Sequence, residues 1–366
     1  MTQTGTPRRT TGRDAIEITL CALFTGSAGS GVIGLYDDYF ARGGTKDKAA
    51  ELTERINAHF GTDLPAELLV EHPTVDEYAK LVRVRTPEPV TPCTVLLKDG
   101  PLDVPPLFCT HPMPGTVFKY ISLANAYRGA RRLYGMQCYG LEPHREPDRT
   151  IEQMAARYIA EMRVLNPDGP YHLLGYSLGG KIAFEMARQL LAENLPLGMV
   201  ALADASIGVP PKGFAAEGAD GQVRLGKLRI GLELGEEDEQ RLREVEPAAR
   251  VAAIMAMAKA KGTLPADYSA ASLNRMLEMY DYTLAAAAAY DPGRLDADVA
   301  FYRCSERPGA VDYGWGEHFR LRGEVLVLPG DHEQVFRGDN GPVVAEDLER
   351  RISEWEAGCV SGLSHG

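Results

Sequence analysis

The chain has 366 residues, 45% of them hydrophobic and 25% charged, with a formal net charge of -12. That make-up suits a globular chain with room for two domains, and the acidic balance, without any run of Lys and Arg, argues against sequence-independent binding to DNA, RNA or an anionic membrane. No apolar run has membrane-spanning length, the N-terminal MTQTGTPRRTTGRD lacks the apolar core of a secretory signal, and Cys21, Cys93, Cys109, Cys138, Cys304 and Cys359 show neither paired nor metal-type spacing; the reading is a cytoplasmic protein with reduced thiols and no resident metal or diffusible cofactor.

Residues 1–13 are polar and rich in Pro, Thr and Arg, a disordered lead-in. Over 14–84 the pattern is helical: AIEITLCALF has helical spacing, AAELTERINAHFG stops at Gly61, and TVDEYAKLV opens on Thr74 as an N-cap. This predicts a small helical bundle. RTPEPVTPC, residues 85–93, is a Pro-rich linker of the kind that separates independently folding units.

From 94 to 358 the periodicity changes. PLFCT (106–110), RLYGMQCYG (132–140), YHLLGY (171–176), GMVALAD (198–204), DVAFYRC (298–304) and GEVLVLPG (323–330) are apolar runs of strand length alternating with helical segments. One such helix, IEQMAARYIAEMRVL, is opened by Thr150 with Gln153 as a capping box. Strands buried on both faces and separated by helices predict a parallel sheet in an α/β layer architecture.

Residues 207–293 break the alternation. A Pro/Gly-rich start, SIGVPPKGFAAEGADG, leads through the acidic GEEDEQRLREVE to two helical segments, PAARVAAIMAMAKA and AASLNRMLEMYDYTLAAAAAY, an insertion expected to form a helical lid. Met255, Met257, Met276 and Met279 could line an acyl pocket there, or form helix-to-helix core. Residues 359–366 read as a tail.

YHLLGYSLGGKIAFEMARQL places Ser177 in G-x-S-x-G between a strand and a helix, the setting of a nucleophile elbow in which Gly175 and Gly179 permit close backbone approach. A serine hydroxyl needs a base. LVLPGDHEQVF puts His332 in a loop directly after a strand. Asp204, one strand after the elbow, and Glu306, one strand later, are the candidates for the acid that orients the imidazole, whereas Asp331 reads as a turn residue.

PLFCTHPMPGTVFKYISLANAY, GYSLGG, the ALAD strand end and PGDHEQVF together resemble the off-loading thioesterases of nonribosomal peptide and polyketide synthetases, over roughly residues 94–356. The resemblance implies an α/β-hydrolase fold with a helical lid, a serine thioesterase acting through Ser177, His332 and Asp204, and oxyanion donors at the Met113 and Leu178 amides. Pro114 stands where that family commonly has a glycine, and His111 reads as structural. The implied reaction releases an acyl or peptidyl chain from a carrier-bound thioester by hydrolysis or macrocyclisation. A general esterase or lipase, and a non-catalytic binding module with a hydrolase shell, are the alternatives.

DDYFARGGTKDKAAEL, followed by LPAELLVEHPTVDEYAKLV, resembles a peptidyl carrier domain. Its pattern calls for a serine at Lys46 and an apolar residue at Asp47; Thr45 is one place out of register. The resemblance therefore implies a degenerate carrier, with substrate presented on the phosphopantetheine of a separate carrier domain of an upstream synthetase. The bundle would either dock that partner or merely cap and solubilise its neighbour.

Overall fold

The computed structural model describes residues 14–29, 31–86, 89–113, 115–142, 144–208, 236–246, 249–260 and 269–363. The expected lead-in 1–13, the Pro/Gly-rich start of the insertion from 209 on, Pro114 and part of the 85–93 linker lie outside them.

The first helices form where their caps predict. Helix α1 (Ala15–Ala28) starts at Asp14, whose carboxylate accepts the Glu17 amide at 3.0 Å, and ends at Gly29 in the left-handed conformation. Helix α2 (Lys46–Phe60) runs from Thr45 to a left-handed Gly61. Short α3 (Glu67–Glu71) precedes α4 (Val75–Arg85), which Thr74 caps.

Helix α1 is apolar nearly all round because it is covered on two sides. One side meets the bundle. The other meets β1 (Thr94–Lys98), so Leu20, Leu23 and Phe24 share one core with Leu96 and Tyr134. The Thr19 hydroxyl accepts the outward-facing amide of Leu96 at 3.2 Å, and Arg55 of α2 pairs with Asp99 just beyond the strand. The bundle thereby covers a sheet edge whose amides would otherwise be open to pairing.

Among the described residues eight strands form one sheet in the order β1-β3-β2-β4-β5-β6-β7, with β8 also on β6. They are β1, β2 (Leu107–Thr110), β3 (Leu133–Met136), β4 (Tyr171–Tyr176), β5 (Leu197–Ala203), β6 (Asp298–Cys304), β7 (Arg320–Leu321) and β8 (Leu326–Leu328). All pairs are parallel except β1 with β3, so the expectation of a parallel sheet is corrected to a mixed one by its first strand. The single strand expected over 323–330 is shorter, and a second piece, β7, docks ahead of it along β6: Asp298 and Val299 pair with β7, Tyr302 to Cys304 with β8.

Alternate residues feed two cores. Phe108, Leu173, Val200, Leu202 and Phe301 face α6 (Ile151–Leu165) and α7 (Leu178–Ala192). Leu107, Cys109, Leu174, Ala201 and Ala300 face α5 (Tyr120–Ala126) and α11 (Asn340–Leu363). Coverage on both sides explains the unbroken apolar runs of the central strands. Thr150 caps α6, its hydroxyl accepting the Gln153 amide at 3.2 Å, but the Gln153 side chain reaches past the cap residue to the Arg149 amide at 2.8 Å, so only half of the expected capping box forms. Helix α11 continues to Leu363, into the stretch read as a tail.

The insertion contributes α8 (Glu236–Arg243), helical where the sequence suggested only an acidic stretch, then α9 (Arg250–Ala260) and α10 (Ala270–Ala289). Met255, Met257 and Met276 pack with Leu242, Ile254, Leu273 and Leu277, so these three methionines are helix-to-helix core. Met279 is different. It is buried against the sheet side, its sulfur 3.8 Å from Cys138 Sγ.

Candidate active site

Ser177 lies at the β4–α7 junction with φ 58° and ψ -122°, a conformation that costs an L-residue energy and turns its side chain off the sheet. The bend is possible because its neighbours lack side chains. A Cβ on Gly175 would sit 2.2 Å from the Gly179 carbonyl oxygen, and one on Gly179 would sit 2.2 Å from that of Thr110. The Thr110 hydroxyl, donating to Gly179 O at 2.7 Å, fastens the bend to β2.

Three strand ends deliver the polar groups. His332 opens a 3₁₀ turn, His332–Gln334, after β8; Asp331 caps that turn, accepting the Glu333 amide at 2.9 Å, and is therefore a turn residue. His332 Nε2 is 3.0 Å from Ser177 Oγ, and Nδ1 is 2.5 Å from Asp204 Oδ2. Asp204, just past β5 at φ 46°, is fully buried, and its Oδ1 accepts the Cys304 amide at 2.9 Å. Glu306, the other acid weighed, is exposed.

Burial raises the Asp204 carboxyl pKa, but the hydrogen bond and charge of His332, the Cys304 amide and the Arg307 guanidinium outweigh it and bring it down to about 2. The carboxylate stays ionised at neutral pH. With Nδ1 donating to it, Nε2 faces the serine as an acceptor.

Several groups at the site carry no local sequence signal. Tyr176 stacks on the His332 ring, centroids 4.8 Å apart, and donates its hydroxyl to the His332 carbonyl at 2.8 Å. The Tyr120 hydroxyl accepts the Tyr176 amide at 2.9 Å and donates to Thr110 O at 2.6 Å, joining β4, β2 and α5 beneath the elbow. Arg307 donates to the Asp204 backbone carbonyl and, at 3.0 Å, to its Oδ2.

Leu178 is the first residue of α7, where an amide has no acceptor within its helix. Met113 lies in the loop after β2; its carbonyl accepts the Thr283 hydroxyl of α10 at 2.5 Å. His111 is fully buried in the same loop, Nδ1 bonded to Pro112 O at 2.9 Å, and burial lowers its pKa to about 4. It is a neutral ring packed edge-on against Tyr158, centroids 5.9 Å apart. Pro114 falls outside the described residues.

Lys46 stands exposed at the first position of α2, beside exposed Asp47. The adjacent Thr45 hydroxyl is the helix cap, accepting the Lys48 amide at 3.3 Å. Among the described residues no helix is long and apolar enough to cross a membrane.

Comparison with known families gives two matches: a thioesterase domain over residues 105–352 and a phosphopantetheine attachment site over 34–82. A dimodular nonribosomal peptide synthase of Bacillus subtilis is 31% identical over 340 residues, covering 90% of this chain and 14% of the relative. A probable non-canonical nonribosomal peptide synthetase of Salinispora arenicola is 27% identical over 348 residues, covering 93% of this chain and 4% of the relative. The chain thus spans a small part of the curated relatives it matches. Among solved structures, a holo four-domain nonribosomal peptide synthetase bound to AMP and glycine superposes with a TM-score of 0.80 at 27% identity, over 96% of this chain and 27% of that one. The Vlm2 thioesterase domain, with a TM-score of 0.52 at 23% identity over 70% of this chain and 96% of its own, shares the fold.

Proposed function

Since the chain belongs to the thioesterase domain family, we propose that it off-loads an acyl or peptidyl chain from a carrier-bound thioester in natural-product assembly, through an acyl-enzyme on Ser177. One observation carries the reading: the hydroxyl of a strained elbow lies 3.0 Å from an imidazole whose other nitrogen is 2.5 Å from a buried carboxylate. Nucleophile, base and orienting acid are thereby aligned for acyl transfer.

His332 Nε2 takes the Ser177 proton as Oγ attacks the thioester carbonyl carbon. The oxyanion of the tetrahedral intermediate accepts hydrogen bonds from the Met113 and Leu178 amides, each typically worth ~3 kcal/mol. Collapse breaks the carbon–sulfur bond, and the imidazolium returns its proton to the departing thiolate. In the second half-reaction His332 deprotonates water, or an amine or hydroxyl of the chain itself, to give an acid or a macrocycle.

The helical unit is read as a carrier that cannot carry. Lys46 occupies the attachment position, an ammonium cannot form the phosphodiester of a phosphopantetheine arm, and the nearest hydroxyl, Thr45, is committed to a helix cap. The thioester therefore arrives on a separate, intact carrier of an upstream synthetase.

The test uses an acyl thioester and intact-protein mass spectrometry. The expected adduct maps to Ser177 and disappears in Ser177→Ala; an adduct elsewhere, or unchanged turnover by the alanine variant, refutes the assignment. Rapid turnover of simple esters with indifference to carrier-bound thioesters would favour a general esterase, and absence of labelling by a fluorophosphonate a binding module.

A further inference from the structure

We propose that Arg307 is a positioning residue that sets the pH range over which His332 works as a base, by sharing the Asp204 carboxylate with it. The inference rests on the serine-thioesterase reading above. Asp204 Oδ2 faces two donors at once, His332 Nδ1 at 2.5 Å and Arg307 Nη1 at 3.0 Å, while Oδ1 is taken by the Cys304 amide. Arg307 Nη1 is itself 3.3 Å from His332 Nδ1. A proton accepted by this imidazole thus creates a cation beside a permanent one.

The arginine is held there by its surroundings. Its Nη1 also bonds the Asp204 backbone carbonyl, closing a clamp around a residue whose φ is 46°. The guanidinium lies over the Tyr313 ring, 4.6 Å from its centroid, and the Arg307 carbonyl accepts Arg303 Nη2 at 2.8 Å. Tyr313 is fixed in turn by donating its hydroxyl to Cys304 O at 3.3 Å.

The other titratable or charged groups near His332 include Tyr176, stacked on the ring; Asp331, which caps its turn; Glu333, paired with Lys119 from the loop after β2; and Tyr313 and Cys304, which lie on the Asp204 side. Asp204 favours the imidazolium and Arg307 disfavours it, with the two acting on the same nitrogen. Removing the arginine therefore leaves the carboxylate's pull on the proton unopposed. The imidazole then protonates at higher pH and becomes unavailable as a base. With the arginine present, it stays a base to lower pH, and its imidazolium gives up a proton more readily to the leaving group.

The rate of labelling of the full chain by a fluorophosphonate, measured across pH, tests this without knowledge of the natural substrate. In the neutral variants Arg307→Gln and Arg307→Met the acidic limb is expected to move upward by about one pH unit, so labelling on that limb falls roughly ten-fold while the alkaline plateau changes far less. Arg307→Lys, which keeps the charge, should leave the limb near its wild-type position. Equal losses at every pH, an unmoved limb in the neutral variants, or a lysine variant shifted as far as they are would overturn the proposal. Thermal melts identify any variant that fails to fold, in which case the remaining neutral variant against lysine decides. Labelling of Ser177→Ala at the wild-type rate would instead overturn the underlying site assignment.

Discussion

The Thr283 hydroxyl donates to the Met113 carbonyl oxygen at 2.5 Å, joining inserted helix α10 to the loop beside Ser177; the same hydroxyl lies 3.0 Å from Tyr280 O of its own helix. Three further hydrogen bonds hold that helix. Arg275 donates to the carbonyls of Gly140 and Arg145 at 2.5 and 2.8 Å, and Lys181 of α7 donates to Ala287 O at 3.0 Å. Helix α10 is thus fastened along its length to the loops after β2 and β3 and to α7.

If Met113 supplies an oxyanion donor, loosening its loop should harm the transition state more than substrate binding. Thr283→Val removes a hydrogen bond worth ~1 kcal/mol and leaves a carbonyl unsatisfied. On an N-acetylcysteamine thioester we expect kcat to fall about ten-fold with KM changed less than about two-fold, and Thr283→Ser to recover most of the loss. Loss confined to KM would show that the contact serves binding.

Helix α1 makes a second prediction, about stability. Phe24 is fully buried in the core that also holds Leu96 of β1, so the bundle and the sheet should not melt separately. Phe24→Ala is expected to cost about 3–5 kcal/mol, lowering the urea midpoint of the whole chain in a single transition seen by both far-UV CD and Trp315 or Trp355 fluorescence. Two separated transitions would refute it. The same packing means that deleting the bundle uncovers the β1 edge, so low activity in such a truncation reports lost support as readily as lost docking.

The contrast between these contacts and the hydrogen-bonded set of Ser177, His332 and Asp204 shows what the sequence reveals. Ser177, His332 and Asp204 each sit at the end of an apolar run, so the local pattern of strand and turn marks them, and coverage on both faces makes those runs conspicuous. Strand β1 escaped because TVLLK is short, follows prolines and pairs antiparallel at an edge. Thr19 with Leu96, Thr283 with Met113, and Arg307 with Asp204 are pairs 77, 170 and 103 positions apart, and no residue in any of them stands in a motif that announces its partner. Helix α1 reads correctly as a helix, but only the fold shows that its second apolar side belongs to the sheet.

The buried carboxylate gives a pH prediction. The Asp204 carboxyl is held near 2 against an ordinary 3.8, so the native state binds its proton less readily than the unfolded chain does. Its contribution, roughly 2 kcal/mol, is present above pH ~4 and lost as the pH falls toward 2. Asp204→Asn should remove that share of the acid sensitivity of unfolding and lower kcat on the order of 10⁴-fold by leaving the imidazole without its orienting anion. Urea titrations of both proteins at pH 7 and pH 3 check the first part, and a variant whose acid sensitivity matches the parent's would contradict it.

The start of α2 makes the last prediction. A phosphopantetheinyl transferase needs a free hydroxyl at the attachment position and an apolar residue beside it to dock against, whereas this chain offers the ammonium of Lys46 and the carboxylate of Asp47, both exposed. Thr45 is no substitute, because its hydroxyl accepts the Lys48 amide and its loss would uncap the helix. Incubated with a promiscuous transferase and coenzyme A, the chain should show no gain in intact mass. Lys46→Ser alone restores the nucleophile but not the docking residue, so slow or partial loading is expected; Lys46→Ser with Asp47→Leu should load fully. Each change is on the exposed face of a capped helix, so neither should lower stability by more than about 0.5 kcal/mol. Loading of the unaltered chain would show that another hydroxyl serves, while failure of the double variant would place the defect in the fold of the bundle and not in these two side chains.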